Sequence, residues 1–176
     1  PNTENLRDFH DQIKLEELIS SIEQEKKKLK SKTPIVVKIS PDISKEQATQ
    51  ISQILLKHEI EGIIVSNTTE GNREKLQSTS KHQKGGLSGK PLETISNQLI
   101  NIFYNLLKDK IEIIGVGGVD SGKSAYDKFL AGANFIQLYT GMVYQGPNIV
   151  GKIKKELKQI LINKGVSNFK DIVGKK

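Results

Sequence analysis

Four short apolar runs constrain this chain more than any other feature: 35–39 (IVVKI), 62–66 (GIIVS), 111–116 (IEIIGV) and 135–139 (FIQLY). They are rich in β-branched residues and close to continuously apolar, without the strict alternation of a half-solvated strand. Strands buried on both faces read this way, as in parallel sheets covered by helices. Between the runs the apolar spacing becomes helical. Ser44 and Gln47 form a capping box ahead of a stripe of Ala48, Ile51, Ile54 and Leu55. Residues 91–107 carry Leu92, Ile95, Leu99, Ile102 and Leu106 on one stripe. Asp120 or Ser121 is expected to cap a third helix that buries Ala125, Phe129 and Leu130. A last helix is expected over 149–162 and a first over 15–30.

Regular strand–helix alternation argues for right-handed βαβ units and a parallel sheet, an α/β fold. Four such units are about half of a (β/α)8 barrel; from pattern alone a free-standing doubly wound sheet is the alternative. The polar stretch 70–84 is too long for an ordinary connection and reads as a surface loop, either a lid or a mobile segment.

Composition excludes several classes. There is no cysteine, so no disulfide framework and no Cys-based metal site forms. The three histidines, His10, His58 and His82, share no ligand spacing with carboxylates; His58 is read as a helix-surface residue and no metal site is assigned. The net charge of +7 is spread over helical segments as solvated faces. Nucleic-acid binding would want a basic face with interleaved aromatics, whereas Tyr and Phe here mostly sit in apolar patterns; attraction to an anionic membrane surface is the other expectation its charge allows. No run approaches the roughly 20 apolar residues of a membrane span, and no signal peptide is recognisable. The sequence opens on Pro1 in place of Met, so an N-terminal part is expected to be missing.

In a parallel barrel, chemistry sits at the C-terminal strand ends. Lys38 lies inside an apolar strand, where burial without a partner would be costly; it either reaches solvent at the strand end or aims a cation at an anionic or electron-rich ligand in the barrel mouth. The second strand ends in Ser66-Asn67-Thr68-Thr69, whose side chains suit an amide-like heterocycle or, taken alone, a turn or cap. Gly85-Gly86-Leu87-Ser88-Gly89 permits close backbone approach. Gly115-Val116-Gly117-Gly118 before a capped helix, with Tyr139-Thr140-Gly141, suggests a phosphate site of backbone N–H groups and a helix N-terminus. The glycine spacing does not match the dinucleotide fingerprint, so a Rossmann reading is rejected.

These segments, with the opening Pro1-Asn2-Thr3 and Leu6-Arg7 and the strand end Val37-Lys38-Ile39-Ser40-Pro41-Asp42, resemble dihydroorotate dehydrogenases in order and spacing over nearly the whole chain. The G-G-L-S-G form and the P-N-T-x-x-L-R opening look like the quinone-dependent, membrane-associated class 2; Asn5 departs from the usual glycine. The resemblance implies strands 5 to 8 of a single FMN-binding barrel domain, residues 1–176, with the N-terminal half absent. It implies FMN held by Lys38, Ser66, Gly89, Gly118, Tyr139 and Thr140. Asn2, Asn67 and Thr68 would bind dihydroorotate or orotate. Lys38 would support the reaction electrostatically, and the catalytic base, a serine, would directly precede Pro1.

The implied reaction oxidises dihydroorotate to orotate, with quinone as final acceptor, in pyrimidine biosynthesis. The implied partners are the missing barrel half and, through it, the quinone; no nucleic acid is expected. The implied location is peripheral on the bacterial inner membrane or the mitochondrial inner membrane. The alternatives are a non-catalytic FMN- or phosphate-binding half-barrel and another FMN-dependent barrel oxidoreductase.

Overall fold

The structure, a computed structural model, describes residues 11–71 and 73–175. In chain order the elements are α1 (Gln12–Lys28), β1 (Val36–Ile39), α2 (Lys45–Lys57), β2 (Gly62–Val65), α3 (Glu93–Leu107), β3 (Glu112–Val116), α4 (Gly122–Ala131), β4 (Phe135–Gln137), α5 (Thr140–Gln145) and α6 (Ile149–Asn163). The strands form one parallel sheet in the order β1-β2-β3-β4, so every connection is a crossover to the adjacent strand. This is the expected half-barrel arrangement.

Local chemistry sets the helix boundaries. Ser44 accepts from the Gln47 amide while the Gln47 side chain accepts from the Ser44 amide, the reciprocal cap read in the sequence. At α4 the cap is Ser121, not Asp120: its hydroxyl accepts from the Ser124 amide. The first helix begins at Gln12, earlier than its apolar pattern, because the Asp11 carboxylate accepts from Ile13 and Lys14. Pro91 lies in a separate helical turn, Lys90–Leu92, just before α3.

The register separates the two sheet faces. Val37, Ile39, Ile63, Val65, Ile113 and Gly115 point toward the helices, where Ile39, Ile63, Val65 and Ile113 are at most 2% exposed. They pack with Ile51 and Leu55 of α2 and Ile100, Phe103 and Leu107 of α3. A second core lies between α4 and α6, with Val119, Ala125, Ile149 and Ile153 buried together.

The expectation that the strands are buried on both faces fails. On the opposite face Lys38, Glu112 and Gln137 are exposed, Val36 and Phe135 are 40% and 57% exposed, and Ile64 and Ile114 are half-buried. Among the described residues helices cover only one side, because each crossover packs back onto the same face. The apolar residues of this second face and the edges of β1 and β4, unpaired among the described residues, match the open inner side of a half-barrel. Lys38 therefore bears no burial cost within this chain, contrary to the argument that first singled it out.

His58 also differs from expectation. It ends α2 as its C-cap residue and turns into the α1–α2 interface, with Nδ1 3.0 Å from Glu23 Oε2 and Nε2 3.6 Å from Glu16 Oε1. Its side chain is 11% exposed, so it joins two helices instead of lying on the surface.

Candidate functional site

The C-terminal ends of all four strands open onto one cleft of about 1260 Å³. This exceeds the roughly 300–1,000 Å³ of ordinary small-molecule sites, since the bare sheet face leaves one side open. Lys38, Ser66, Asn67, Thr68, Gly89, Gly118, Tyr139 and Thr140 all line it. The structure thus gathers every expected contact residue that it describes; Asn2 lies outside the described residues.

Lys38 comes from β1 and has no ion-pair partner among the described residues. The tip of β2 is tied in place by its backbone: Asn67 N donates to Ile39 O at 2.8 Å and Ser66 N to Val116 O at 3.3 Å. Asn67 Oδ1 accepts from the Thr68 amide at 2.9 Å, which fixes the side-chain amide. Thr68 Oγ1 is buried and has no hydrogen-bond partner among the described residues. Buried hydroxyls normally have one, so this orphan on the cleft wall points to a polar ligand. Thr69, the fourth polar residue of the run, turns away from the cleft to bond the Asp42 carboxylate.

Gly89, Gly118 and Thr140 converge. A Cβ on Gly89 would lie 2.9 Å from Thr140 Cγ2, and Thr140 Oγ1 donates to Ser88 Oγ at 2.9 Å. Gly118 has φ +77°, and a Cβ there would lie 2.7 Å from Glu93 Cα. Only glycine fits both the backbone angle and the space. Lys90 brings a cation to the same rim, its pKa raised chiefly by its bond to Glu93 at 2.8 Å, with Asp120 adding to the effect.

Of the two helix starts at the expected phosphate site, the one after β3 has its donors occupied. At the start of α4 the amides of Asp120 and Ser121 donate to Ser124 Oγ, and the Gly122 amide donates to the Glu156 carboxylate at 2.7 Å. Those donors are taken by the protein. The uncapped start belongs to α5, which has no side-chain cap and begins at Thr140 in the cleft. Reading 135–139 as a strand through Tyr139 hid this short helix. Its signal was Gly146-Pro147, a common helix stop.

The loop expected over 70–84 is gathered on one side chain. Arg73 Nε donates to Glu70 O at 3.1 Å, Nη1 to Lys81 O and Gln83 O at 3.1 and 2.8 Å, and Nη2 to Gly85 O. The loop then returns through paired bonds between Thr69 and Leu87, which deliver Gly86–Gly89 to the cleft. Sequence reasoning missed Arg73, and also Ser88, Lys90 and Gln137 on the cleft wall. It missed Lys128 too, a lysine with 0% exposure between α4 and α3. Nζ donates to Ser96 Oγ at 3.0 Å and Asn97 Oδ1 at 2.9 Å, and burial pushes its pKa down to about 8.

Four parallel strands with crossover helices on one face and a cleft at their C-terminal ends form a segment of the (β/α)8 barrel class. Residues 1–161 match the family model described as dihydroorotate dehydrogenase, and the chain belongs to that family. It is 39% identical over 176 residues to mitochondrial dihydroorotate dehydrogenase (quinone) of Mus musculus, covering 99% of this chain and 45% of the relative. It is 44% identical over 161 residues to dihydroorotate dehydrogenase (quinone) of Buchnera aphidicola, covering 89% and 48%. The crystal structure of the Eimeria tenella enzyme in complex with ferulenol superposes with a TM-score of 0.94 at 34% identity, over 99% of this chain and 51% of that one. The chain spans about half the length of the relatives it matches.

Proposed function

We propose that this chain is the C-terminal half of the barrel of a quinone-dependent dihydroorotate dehydrogenase and supplies its flavin and substrate contacts. The carrying observation is the convergence of Lys38, Ser66, Asn67, Thr68, Gly89, Gly118, Tyr139 and Thr140 on one cleft. The names of the relatives support dihydroorotate as substrate and a quinone as acceptor. The residues fit FMN: a glycine-bounded corner beside an uncapped helix start suits a phosphate, and polar groups at the β2 tip suit a heterocycle.

When bound, FMN supplies the hydride acceptor. On this reading Gly89, Gly118 and Thr140 hold its phosphate end, with Tyr139 beside them, and Ser66 contacts its ring. Lys38 presents a fixed ammonium to the cleft and stabilises negative charge as electrons arrive. Asn67 offers both donor and acceptor, and Thr68 a free hydroxyl, to the pyrimidine of dihydroorotate; Asn2 would join them. The proton-abstracting serine would lie before Pro1, in the complementary half. The protein would be peripheral on a bacterial or mitochondrial inner membrane. No helix among the described residues is long and apolar enough to cross one.

The test is rapid mixing of the full-length flavoprotein with dihydroorotate. Lys38→Ala should retain FMN but slow flavin reduction by at least about 100-fold, the scale of losing one preorganised electrostatic group. An unchanged reduction rate removes Lys38 from the reaction. A colourless full-length protein that takes up no FMN removes the whole reading.

A further inference from the structure

Lys128 is the one lysine with 0% exposure among the described residues, and no carboxylate forms an ion pair with it there. An ammonium in that position bears a desolvation cost that an apolar residue would spare. Its two hydrogen-bond acceptors, Ser96 Oγ and Asn97 Oδ1, lie on α3. With Ser96 Oγ accepting from Lys128, the hydroxyl's single proton is free to point elsewhere. It goes to Val116 O at 2.6 Å, with Val65 O more distant at 3.5 Å. Val116 O also accepts from Ser66 N, on the cleft wall, and the next residues are Gly117 and Gly118 with φ +113° and +77°. A relay therefore runs from a buried cation through one hydroxyl to the carbonyl where β3 turns into the glycine loop.

We propose that Lys128 is a positioning residue for the anion-binding corner: through Ser96 it orients the Val116 peptide and so sets the Gly117–Gly118 turn. Packing alone does not require an amine there, since the Lys128 methylenes already fill the space beside Gly115, with Cδ 3.1 Å from a would-be Gly115 Cβ. The ligand in this proposal rests on the flavin reading; the positioning of the turn does not.

Two readouts separate them, both on the full-length protein. The first is amide hydrogen exchange at 117–119, with Ile113 inside β3 as the internal control. The second is affinity for FMN compared with riboflavin, which lacks the phosphate. Ser96→Ala, a small change, and Lys128→Met should each speed exchange at 117–119 about tenfold and leave Ile113 unchanged. Each should also weaken FMN about tenfold with riboflavin unaffected, the net size of one hydrogen bond to a strong partner. Unchanged exchange in Ser96→Ala overturns the relay. Faster exchange with unaltered FMN affinity, in a protein that binds FMN, upholds the relay and overturns its role at the anion-binding corner. If Lys128→Met fails to fold, Ser96→Ala decides alone. If the unmodified protein binds neither flavin, the flavin reading fails and the exchange data decide the relay.

Discussion

Replacing Lys128 by methionine should remove a specific piece of the pH dependence of stability. The ordinary lysine pKa of 10.5 is pushed down to about 8 in the fold by burial, partly offset by the charges of Glu93 and Asp127. Between those two values the unfolded chain holds a proton that the folded chain has shed. Stability therefore rises with pH across this window, and below about pH 8 the folded state bears the full cost of the buried charge. A gap of roughly 2.5 pH units at about 1.4 kcal/mol each amounts to about 3 kcal/mol. Against a typical total of 5–15 kcal/mol, that is a large fraction.

The assay is urea unfolding at pH 7.5, 9 and 10.5 for the full-length protein and for Lys128→Met. Other lysines titrate in both proteins and cancel in the difference. The unmodified protein should gain about 3 kcal/mol relative to the variant over this range, a midpoint shift of about 1–2 M urea for ordinary slopes. The gain should start near pH 8. Parallel curves would show that Lys128 keeps an ordinary pKa, and that the buried placement or its energetic reading is wrong.

Gly118→Ala forces a side chain into φ +77° and against the backbone of Glu93, so it should destabilise by more than about 2 kcal/mol and abolish FMN binding; thermal melting with flavin titration checks this, and intact FMN affinity refutes it. Arg73→Ala removes donors to four backbone carbonyls, so trypsin should cut at Lys75, Lys81 and Lys84 at least about tenfold faster. An unchanged cleavage rate would show that the loop holds together without its central guanidinium.

The parts of the site legible in the sequence were those whose signals are local. Lys38, the Ser66–Thr68 run and Gly118 each stand at or near the end of an apolar run, and strand polarity alone places such positions at one end of a parallel sheet; Gly89 was legible from its glycine-rich loop. Lys128 was hidden because lysine usually marks a solvated helix face, although its position three residues after Ala125 falls on the buried stripe. His58 was misjudged for the converse reason: nothing local shows that Glu16 and Glu23, on another helix, come to meet it. Which of the two helix starts at the expected phosphate site keeps its donors free was not legible either. The Gly122 amide is consumed by Glu156, thirty-four positions along the chain, and only packing of α6 on α4 brings that carboxylate there.

By itself the sequence determined the order of strands and helices, the parallel sheet and the residues at each strand tip. Those follow from hydrophobic period and capping chemistry, which act over a few residues. Only the tertiary structure decided which donors remain free, which charges are buried and which sheet face is bare. Such properties depend on partners that are distant in sequence, and they arise only when helices and strands close on one another.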